Sequence, residues 1–502
     1  MNDEKELAYS VVRKNLENEI ANLVELTKKA TIKEAEYMLY NLRILRIQNP
    51  YLEEENKRKT QLLKNVSSIY EEVFKYLAQL ILKYGNLHSE PIPKFNIELA
   101  KEIIDKGTLV NTIFDSLSVF TLFEGDFQGD EGVILKPNLS EKGKSFFDYF
   151  CRIERDSLLK AQDLQKGDDF ISKFDNEYVQ YKDLIENHFE IEYKKFIEFY
   201  QYIINYLRRK YKVMEQHMPR QKDGIVSVDN YTSFIMFSSS SYIPIETLER
   251  RFGQSIINFI NKLVFNPDEF DEIEGLRYHS FSRKPLIKSD NKLYLSPELI
   301  LDSMHINSHY SLLESSKKIS EAYKQRSSNY FVDDIAKLAR NYGYKEVGRE
   351  LDLFEGKQAI GDIDLILKNH EGHYLLIEAK KHALPLDVYF KDVAATEKRL
   401  EDLKTGWEKK VLKRTKHLNE HYSRYTIDKN FTYIIVSQNP EIISHFSNLM
   451  ILSFLELEKW LQQKHTNFNE LYKDLYELNG YTEEEFEQLY EDKLTIFKKM
   501  TH

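Results

Sequence analysis

The segment 361–380, GDIDLILKNHEGHYLLIEAK, places acidic residues and a lysine at a spacing that could bind a cation. Two runs that alternate polar and apolar residues flank the loop 370–372, whose third residue is glycine. Three-residue hairpin loops commonly need a left-handed residue at that position, and glycine adopts this conformation without strain. The pattern therefore predicts a β-hairpin in which Asn369 lies opposite His373.

This register predicts that four charged side chains share one face of the hairpin. Asp364 falls opposite Glu378 and Asp362 falls opposite Lys380, because residues two apart on a strand point the same way. Opposed carboxylates about 5 Å apart repel by roughly 3 kcal/mol at an effective dielectric near 20. A divalent ion such as Mg²⁺, which prefers oxygen ligands, would offset this repulsion, and an adjacent ammonium group could orient water or stabilise charge on a phosphate. The other face is apolar and can enter a core: Ile363, Leu365, Leu367, Ile377 and Ala379.

The motifs GDID and IEAK resemble those of the PD-(D/E)XK nuclease superfamily, which includes many restriction endonucleases. Asp364 corresponds to the acid of the second motif, and Glu378 with Lys380 corresponds to the E-x-K of the third. The resemblance implies Mg²⁺-dependent phosphodiester hydrolysis, with Mn²⁺ as a substitute and with Asp364 and Glu378 as catalytic metal ligands. It also implies that Lys380 activates water or stabilises charge and that Asp362 is an accessory acid and metal ligand.

The resemblance extends over residues 325–460, where the sequence predicts the element order α-β-β-β-α-β that this superfamily uses. Members usually carry a further acid on the helix before the sheet. Within 329–344, an apolar stripe at helical spacing accompanies two adjacent acids, of which Asp333 is the first candidate for a catalytic role and Asp334 the second. The glutamine that many relatives carry on the helix after the E-x-K strand has no counterpart here.

Two other interpretations of the hairpin stay open. In the first, the charges face solvent, Asp362 pairs with Lys380 and no metal binds. In the second, a nuclease fold has lost its activity. Short motifs also match unrelated sequences, so their structural context has to decide among the three interpretations.

Length and composition predict a folded chain of several domains. Its 502 residues exceed what a single core usually supports, and 42% of them are hydrophobic. Cys151 is the only cysteine, which excludes a disulfide framework within the chain and fits a reducing cytosol. The sequence has no signal-peptide pattern and no apolar run of bilayer length, so we expect a cytoplasmic protein that does not enter a membrane.

The predicted fold is α+β and multidomain. Within residues 223–324, strands are expected over 225–237 and in a hairpin around Ser289-Asp290-Asn291. The predicted domains are a mostly helical N-terminal region (1–222), a small mixed α/β connector (223–324), a restriction-endonuclease-like α/β core with a mixed sheet flanked by helices (325–460), and a C-terminal helical tail (461–502).

The formal net charge of -10 argues against a protein that coats nucleic acid, because such binding depends on Lys and Arg. Contact with DNA must therefore be local. The best candidate is the basic stretch that follows the hairpin in the chain, although a solvated helix face is the alternative. The predicted nucleic-acid contacts are Lys381, Lys409, Lys410, Lys413, Arg414 and Lys416.

Together these features predict a Mg²⁺-dependent endonuclease that acts on DNA, in bacterial restriction or anti-phage defence by analogy of architecture. The helical N-terminal region is expected to form a homo-oligomer or to bind a partner protein. The sequence contains no P-loop, dinucleotide-binding or nucleophile-elbow motif, so ATP-driven translocation, Rossmann cofactors and α/β-hydrolase chemistry have no support. The competing hypothesis is a non-catalytic scaffold that binds nucleic acid or protein through a degenerate nuclease fold.

Overall fold

The chain divides into two compact units, each of which is described here by itself. The first comprises 1–140, 162–325 and 390–393, and the second comprises 141–161, 326–389 and 394–502. The strand predicted over 225–237 lies outside the described residues. The computed structural model describes residues 3–48, 57–87, 95–120, 122–124, 138–165, 170–217, 241–276, 280–289, 291–382, 384–389 and 391–476.

Helices predominate before residue 342, as the sequence predicts. In chain order they are α1 (Asp3–Thr27), α2 (Ile32–Gln48), α3 (Lys57–Tyr84), α4 (Ile97–Phe120), α5 (Glu141–Gln165), α6 (Phe170–Tyr178), α7 (Lys182–Phe189), α8 (Tyr193–His217), α9 (Ile245–Phe252), α10 (Ser255–Leu263), α11 (Pro297–Leu313) and α12 (Lys317–Asn341). The strands of this part are β1 (Phe123–Glu124), β2 (Asn138–Leu139), β3 (Ser241–Pro244), β4 (Ile287–Ser289) and β5 (Lys292–Leu295).

The predicted connector belongs to the same unit as the N-terminal helices, apart from residues 141–161 of α5. The connector contains the antiparallel sheet β3-β5-β4, and its β4–β5 hairpin lies where the sequence predicts it. Phe259 of α10 packs against Phe196 and Phe199 of α8, with ring centroids 5.4 Å and 5.2 Å apart. Aromatic rings from both sides of the predicted boundary at residue 222 thus enter one hydrophobic core.

The remaining elements form a sheet and the helices that flank it. The strands are β6 (Lys345–Glu355), β7 (Gln358–Lys368), β8 (Tyr374–Lys380), β9 (Phe431–Ser437) and β10 (Ile451–Ser453). The helices are α13 (Leu386–Tyr389), α14 (Val393–Leu403), α15 (Lys409–His421), α16 (Phe454–Gln463) and α17 (Phe468–Tyr476), with a π-helical turn at Lys404–Glu408. Among the described residues, no helix is both long and apolar enough to cross a bilayer.

The second unit is built on a five-stranded mixed sheet with the order β10-β9-β8-β7-β6. Strands β6, β7 and β8 are antiparallel neighbours, whereas β8, β9 and β10 run parallel. Helices α14 and α15 lie in the crossover that a parallel β8–β9 pair requires. The structure therefore confirms the α+β class and the predicted order of elements from α12 to β9.

The hairpin at 361–380 has the predicted register. Leu365 pairs with Ile377, and the N–H of Asn369 donates to the carbonyl of His373 at 3.0 Å. Gly372 has a φ of 84°, the left-handed conformation expected for the third loop residue. The predicted apolar face is buried, because Leu365 and Ile377 pack into the core of the unit together with residues of α12 and α16.

Two segments differ from the predicted domain limits. Residues 141–161 of α5, predicted within the N-terminal helical region, belong to the second unit, because Arg152 is fully buried there and binds both carboxylate oxygens of Glu456. The tail predicted from residue 461 is part of the same unit as far as Tyr476, because Phe468 and Leu471 enter its core. The rest of the tail, 477–502, lies outside the described residues.

Candidate active site

Strands β7 and β8 separate at the predicted site. Their ladder ends at the pair Leu365–Ile377. Beyond it, β7 remains paired with β6, with Asp362 opposite Asp352, while β8 remains paired with β9 as far as Lys380. We call the gap between the two strands beyond Leu365–Ile377 the strand opening. Because of it, the backbone pairs predicted for Asp362 with Lys380 and for Asp364 with Glu378 do not form.

Asp364 stands where the strand opening begins. Its Oδ2 accepts a hydrogen bond of 2.7 Å from the backbone N–H of Ala379 on β8. In a continuous ladder this N–H would donate to a backbone carbonyl of β7, so the carboxylate takes the place of the missing ladder bond. Burial and then the nearby charge of Glu378 raise the pKa of the Asp364 carboxyl to about 6, against the opposing charge of Lys380. Asp364 and Glu378 thus interact across the strand opening.

Glu378 is buried, with 5% of its surface exposed, and both carboxylate oxygens have donors. Oε1 accepts from Lys380 Nζ at 2.6 Å. Oε2 accepts from the hydroxyl of Tyr433 on β9 at 3.1 Å and from Nη1 of Arg414 on α15. Burial followed by the charge of Glu378 raises the pKa of Tyr433, which keeps its hydroxyl protonated as a donor. A buried carboxylate is stable only when its charge is compensated, and here two cations compensate it.

Arg414 reaches from α15 to both strands that border the strand opening. Besides Glu378 of β8, its Nε donates to the carbonyl of Ile360 on β7 at 3.4 Å. A Cβ at Gly361 would overlap the guanidinium of Arg414, and Gly361 has a φ of 115°. The close approach and the backbone conformation each require glycine at this position. Burial lowers the pKa of Arg414, but the charge of Glu378, the hydrogen bond with Tyr433 and the charge of Asp362 together outweigh burial, and the pKa is raised. The guanidinium therefore lies at the strand opening.

The other predicted nucleic-acid contacts on α15 face solvent, whereas Arg414 does not. Only 6% of the surface of Arg414 is exposed, because it follows Val411 and precedes Leu418 on the buried face of the helix. The predicted contact of Arg414 with nucleic acid stays a prediction, and its side chain lies on the buried face of the helix. Lys381, directly after β8, is partly buried. The exposed lysines of α15 are Lys409, Lys410, Lys413 and Lys416.

The two candidate acids on α12 have different partners. Asp333 is largely exposed and forms an ion pair of 2.6 Å with Arg349 of β6. Burial raises the pKa of Asp334, and the opposing charge of Lys381 shows that Asp334 lies near the end of β8. Asp334, the second candidate, thus interacts with the residue that directly follows β8.

The oxygen ligands at the strand opening suit a hard divalent ion in chemistry, with one rearrangement. Within the described part of the chain, Oδ1 of Asp364 has no hydrogen-bond donor, and Asp362 is partly buried on the same strand face. Both oxygens of Glu378 already accept hydrogen bonds. Glu378 could bind a metal ion only if one oxygen lost a donor or accepted the ion beside it. Consistent with this, no group of three or more His, Cys, Asp or Glu side chains in the described ranges is arranged to hold a metal ion.

Sequence reasoning missed the roles of Arg414 and Tyr433 in holding Glu378. For Arg414 a signal existed, because positions 411, 414 and 418 lie on one helix face and two of them are apolar. Tyr433 lies within a strand that the sequence predicts as buried, and nothing in the pattern FTYIIVS indicates which residue its hydroxyl contacts.

No family model, curated protein or solved structure gives a significant match to this chain. The resemblance to PD-(D/E)XK nucleases therefore stays a prediction from the two motifs.

Proposed function

We propose that this protein is a metal-dependent endonuclease that hydrolyses phosphodiester bonds in DNA. The observation that carries the proposal is the group Asp364, Glu378 and Lys380 at the strand opening, where a carboxyl with a pKa raised to about 6 faces a second carboxylate and an ammonium group. Charged groups concentrated in this way are typical of sites that bind metal or perform acid–base chemistry. These charged groups are not required to hold a continuous sheet together.

Each residue has a definite task in this proposal. Asp364 and Glu378 would hold the cation, with Asp362 as an accessory acid. Lys380 would stabilise the negative charge that develops on the phosphate as a water oxygen bonds to phosphorus and the phosphorus–oxygen ester bond breaks. A bound Mg²⁺ or Mn²⁺ would supply Lewis acidity and a more acidic water. The attacking water would lose its proton to solvent, and the leaving oxygen would take one from solvent.

DNA is the proposed substrate because α15 carries a solvent face of lysines and also delivers Arg414 to the strand opening. Lysines within two turns of a cleavage site can fix the sugar–phosphate backbone without reading sequence. The wider expectation of a restriction or anti-phage role rests on the analogy of a nuclease unit joined to a large helical unit.

Cleavage assays with matched variants test the proposal. Supercoiled, linear and single-stranded DNA are incubated with the full chain and Mg²⁺ or Mn²⁺. We expect cleavage by the wild type and a loss of about a hundredfold or more in Asp364→Asn and Lys380→Ala, the usual cost of removing one group that stabilises a transition state. Asp428→Asn, at an exposed acid of the same unit, is the control and should cleave normally. Cleavage that survives both site substitutions would overturn the proposal.

One observation favours a second candidate, a non-catalytic scaffold that binds nucleic acid. The charge of Glu378 is already compensated by Lys380 and Arg414, so the site is electrostatically satisfied without a metal. A scaffold predicts that the wild type shifts DNA in a gel but cleaves none of the three substrates with either metal. Cleavage by the wild type that Asp364→Asn abolishes would exclude this candidate.

A further inference from the structure

We propose that Arg414 is a built-in competitor of the divalent cation for Glu378, so that the metal binds only when the guanidinium leaves the strand opening. This inference rests on the proposed function, since it concerns the regulation of the same site. It makes Arg414 a regulatory residue that acts through Glu378, with no contact to the reacting atoms required.

The first support is the place of the guanidinium. Arg414 and Glu378 are both almost fully buried, and the ion pair joins them directly. The same guanidinium donates to Ile360 O on the opposite side of the strand opening and lies against Gly361. A cation bound between Asp364 of β7 and Glu378 of β8 would need a carboxylate oxygen of Glu378, and Arg414 now occupies Oε2.

The second support is charge. Glu378 already has two cationic partners, Lys380 and Arg414. A divalent ion added to this set would place two further positive charges beside them in a buried site, where screening by solvent is weak. Displacement of Arg414 relieves this repulsion and frees Oε2 of Glu378, while Lys380 can remain on Oε1. Metal binding and the Glu378–Arg414 ion pair therefore exclude each other.

The third support is the neighbouring carboxylate. Asp364 has no ion pair of its own among the described residues, and its one hydrogen-bond donor there is the backbone N–H of Ala379. A divalent ion at the strand opening would compensate the charge of Asp364, and Arg414 keeps that ion from binding. Removal of the guanidinium should therefore strengthen metal binding even though it removes a native contact.

Mn²⁺ binding to the full chain, followed by the electron paramagnetic resonance signal of the free ion, tests this competition in the absence of DNA. Wild type, Arg414→Gln and Arg340→Gln are compared, the last being the same substitution at an exposed arginine of the same unit. We expect Arg414→Gln to bind Mn²⁺ about tenfold more tightly than wild type, as when the competent state is populated to about one tenth. Arg340→Gln should bind like wild type. Equal or weaker binding by Arg414→Gln overturns the proposal.

Arg414→Lys provides a second variant, since loss of a buried cation can impair folding. Lysine keeps the charge but loses the contact with Ile360 O, so its hold on Glu378 is weaker. We expect Mn²⁺ affinity between those of wild type and Arg414→Gln, and an affinity no higher than that of wild type contradicts the competition. Melting curves without metal establish that each variant is folded.

Asp364→Asn separates failure of this inference from failure of the proposed function. If wild type binds Mn²⁺, Asp364→Asn does not, and Arg414→Gln binds no more tightly than wild type, the metal site stands and only the competition is overturned. If neither wild type nor Arg414→Gln binds Mn²⁺ at millimolar concentration and DNA is not cleaved, the proposed function falls together with the inference.

Discussion

Two buried arginine–carboxylate pairs in the same unit differ in what surrounds them. Arg152 and Glu456 are at most 1% exposed and form two parallel hydrogen bonds of 3.0 Å and 2.9 Å. Arg414 and Glu378 are similarly buried but share a single hydrogen bond, and Glu378 has Lys380 as a second cation. The first pair engages both carboxylate oxygens with one guanidinium, whereas in the second pair two cations share the carboxylate beside the strand opening.

The first pair has the character of a structural element. The guanidinium of Arg152 also stacks 4.4 Å above the ring of Phe468 and donates to Glu441 O, and Glu456 completes a capping box with Ser453 at the start of α16. These contacts join α5, α16 and α17. Bidentate geometry of this kind fixes both partners in one orientation, because both carboxylate oxygens of Glu456 accept hydrogen bonds from Arg152.

The second pair has the character of an exchangeable element. Glu378 can lose Arg414 and still accept hydrogen bonds from Lys380 and Tyr433. It also lies across the strand opening from Asp364, whose pKa is raised to about 6 partly by the charge of Glu378 itself. The comparison indicates that burial alone does not distinguish a structural ion pair from a functional one. What distinguishes them is whether the carboxylate keeps another cationic donor when the arginine is lost.

The largest effect is expected from breaking the pair of Arg152 and Glu456. Arg152→Gln should lower the free energy of unfolding of the second unit by about 3 to 5 kcal/mol, because Glu456 is then buried without a cation. Urea denaturation measures this loss. The exposed-site control Arg340→Gln should change stability by no more than about 0.5 kcal/mol. A cost for Arg152→Gln close to that of the control would show that the pair does not anchor α5.

The next effect concerns the pH dependence of stability at the strand opening. The native fold raises the pKa of Asp364 from 3.8 to about 6, so the fold favours the protonated form. The associated stability is fully present below pH 4 and is lost as the pH rises through about 6. Asp364→Asn cannot ionise, and its stability relative to wild type should increase between pH 4 and pH 8 by on the order of 2 kcal/mol in the presence of EDTA.

Urea denaturation at both pH values measures this difference. The amide side chain introduced by Asp364→Asn keeps an oxygen that can accept the hydrogen bond from Ala379, so the substitution changes charge more than contacts. A relative stability that is the same at pH 4 and pH 8 would contradict the raised pKa. The same experiment on Asp428→Asn, at an exposed acid, should show little dependence on pH.

The hairpin was predictable because its determinants are local. Loop length, the glycine at position 372 and the two-residue alternation fix the register between Leu365 and Ile377, and the structure has that register. The same local pattern gives no information on where the ladder ends. The end of the ladder depends on the outer neighbours of the hairpin. Beyond Leu365–Ile377, β7 stays paired with β6 and β8 stays paired with β9.

The long-range contacts were beyond the reach of sequence patterns. Arg152 contacts Glu456 across 304 positions, a separation that no local sequence pattern in α5 can indicate. The burial of Arg414 was within reach, since its helical phase places it among buried residues. The basic composition of the stretch does not distinguish this position from the exposed lysines.

A smaller effect is expected from removing Arg414 than from removing Arg152. Arg414→Gln should cost about 1 kcal/mol of stability without metal, because Lys380 and Tyr433 still donate to Glu378 and the carboxylate is not left bare. Urea denaturation in EDTA, run beside Arg152→Gln, measures the contrast. Equal costs for the two substitutions would mean that Glu378 depends on Arg414 as strictly as Glu456 depends on Arg152, and the distinction between the pairs would disappear.

The smallest effect is the stabilisation of the folded chain by the divalent ion itself. At an Mn²⁺ concentration equal to its dissociation constant for wild type, binding should stabilise the native state by about 0.4 kcal/mol. If Arg414→Gln binds tenfold more tightly, the same concentration should stabilise that variant by about 1.4 kcal/mol. Thermal melting with and without Mn²⁺ compares the two, with Arg152→Gln as the contrasting variant. Because the Arg152 pair holds no exchangeable oxygen, Arg152→Gln should respond to Mn²⁺ like wild type, and a larger response there would indicate non-specific ion binding.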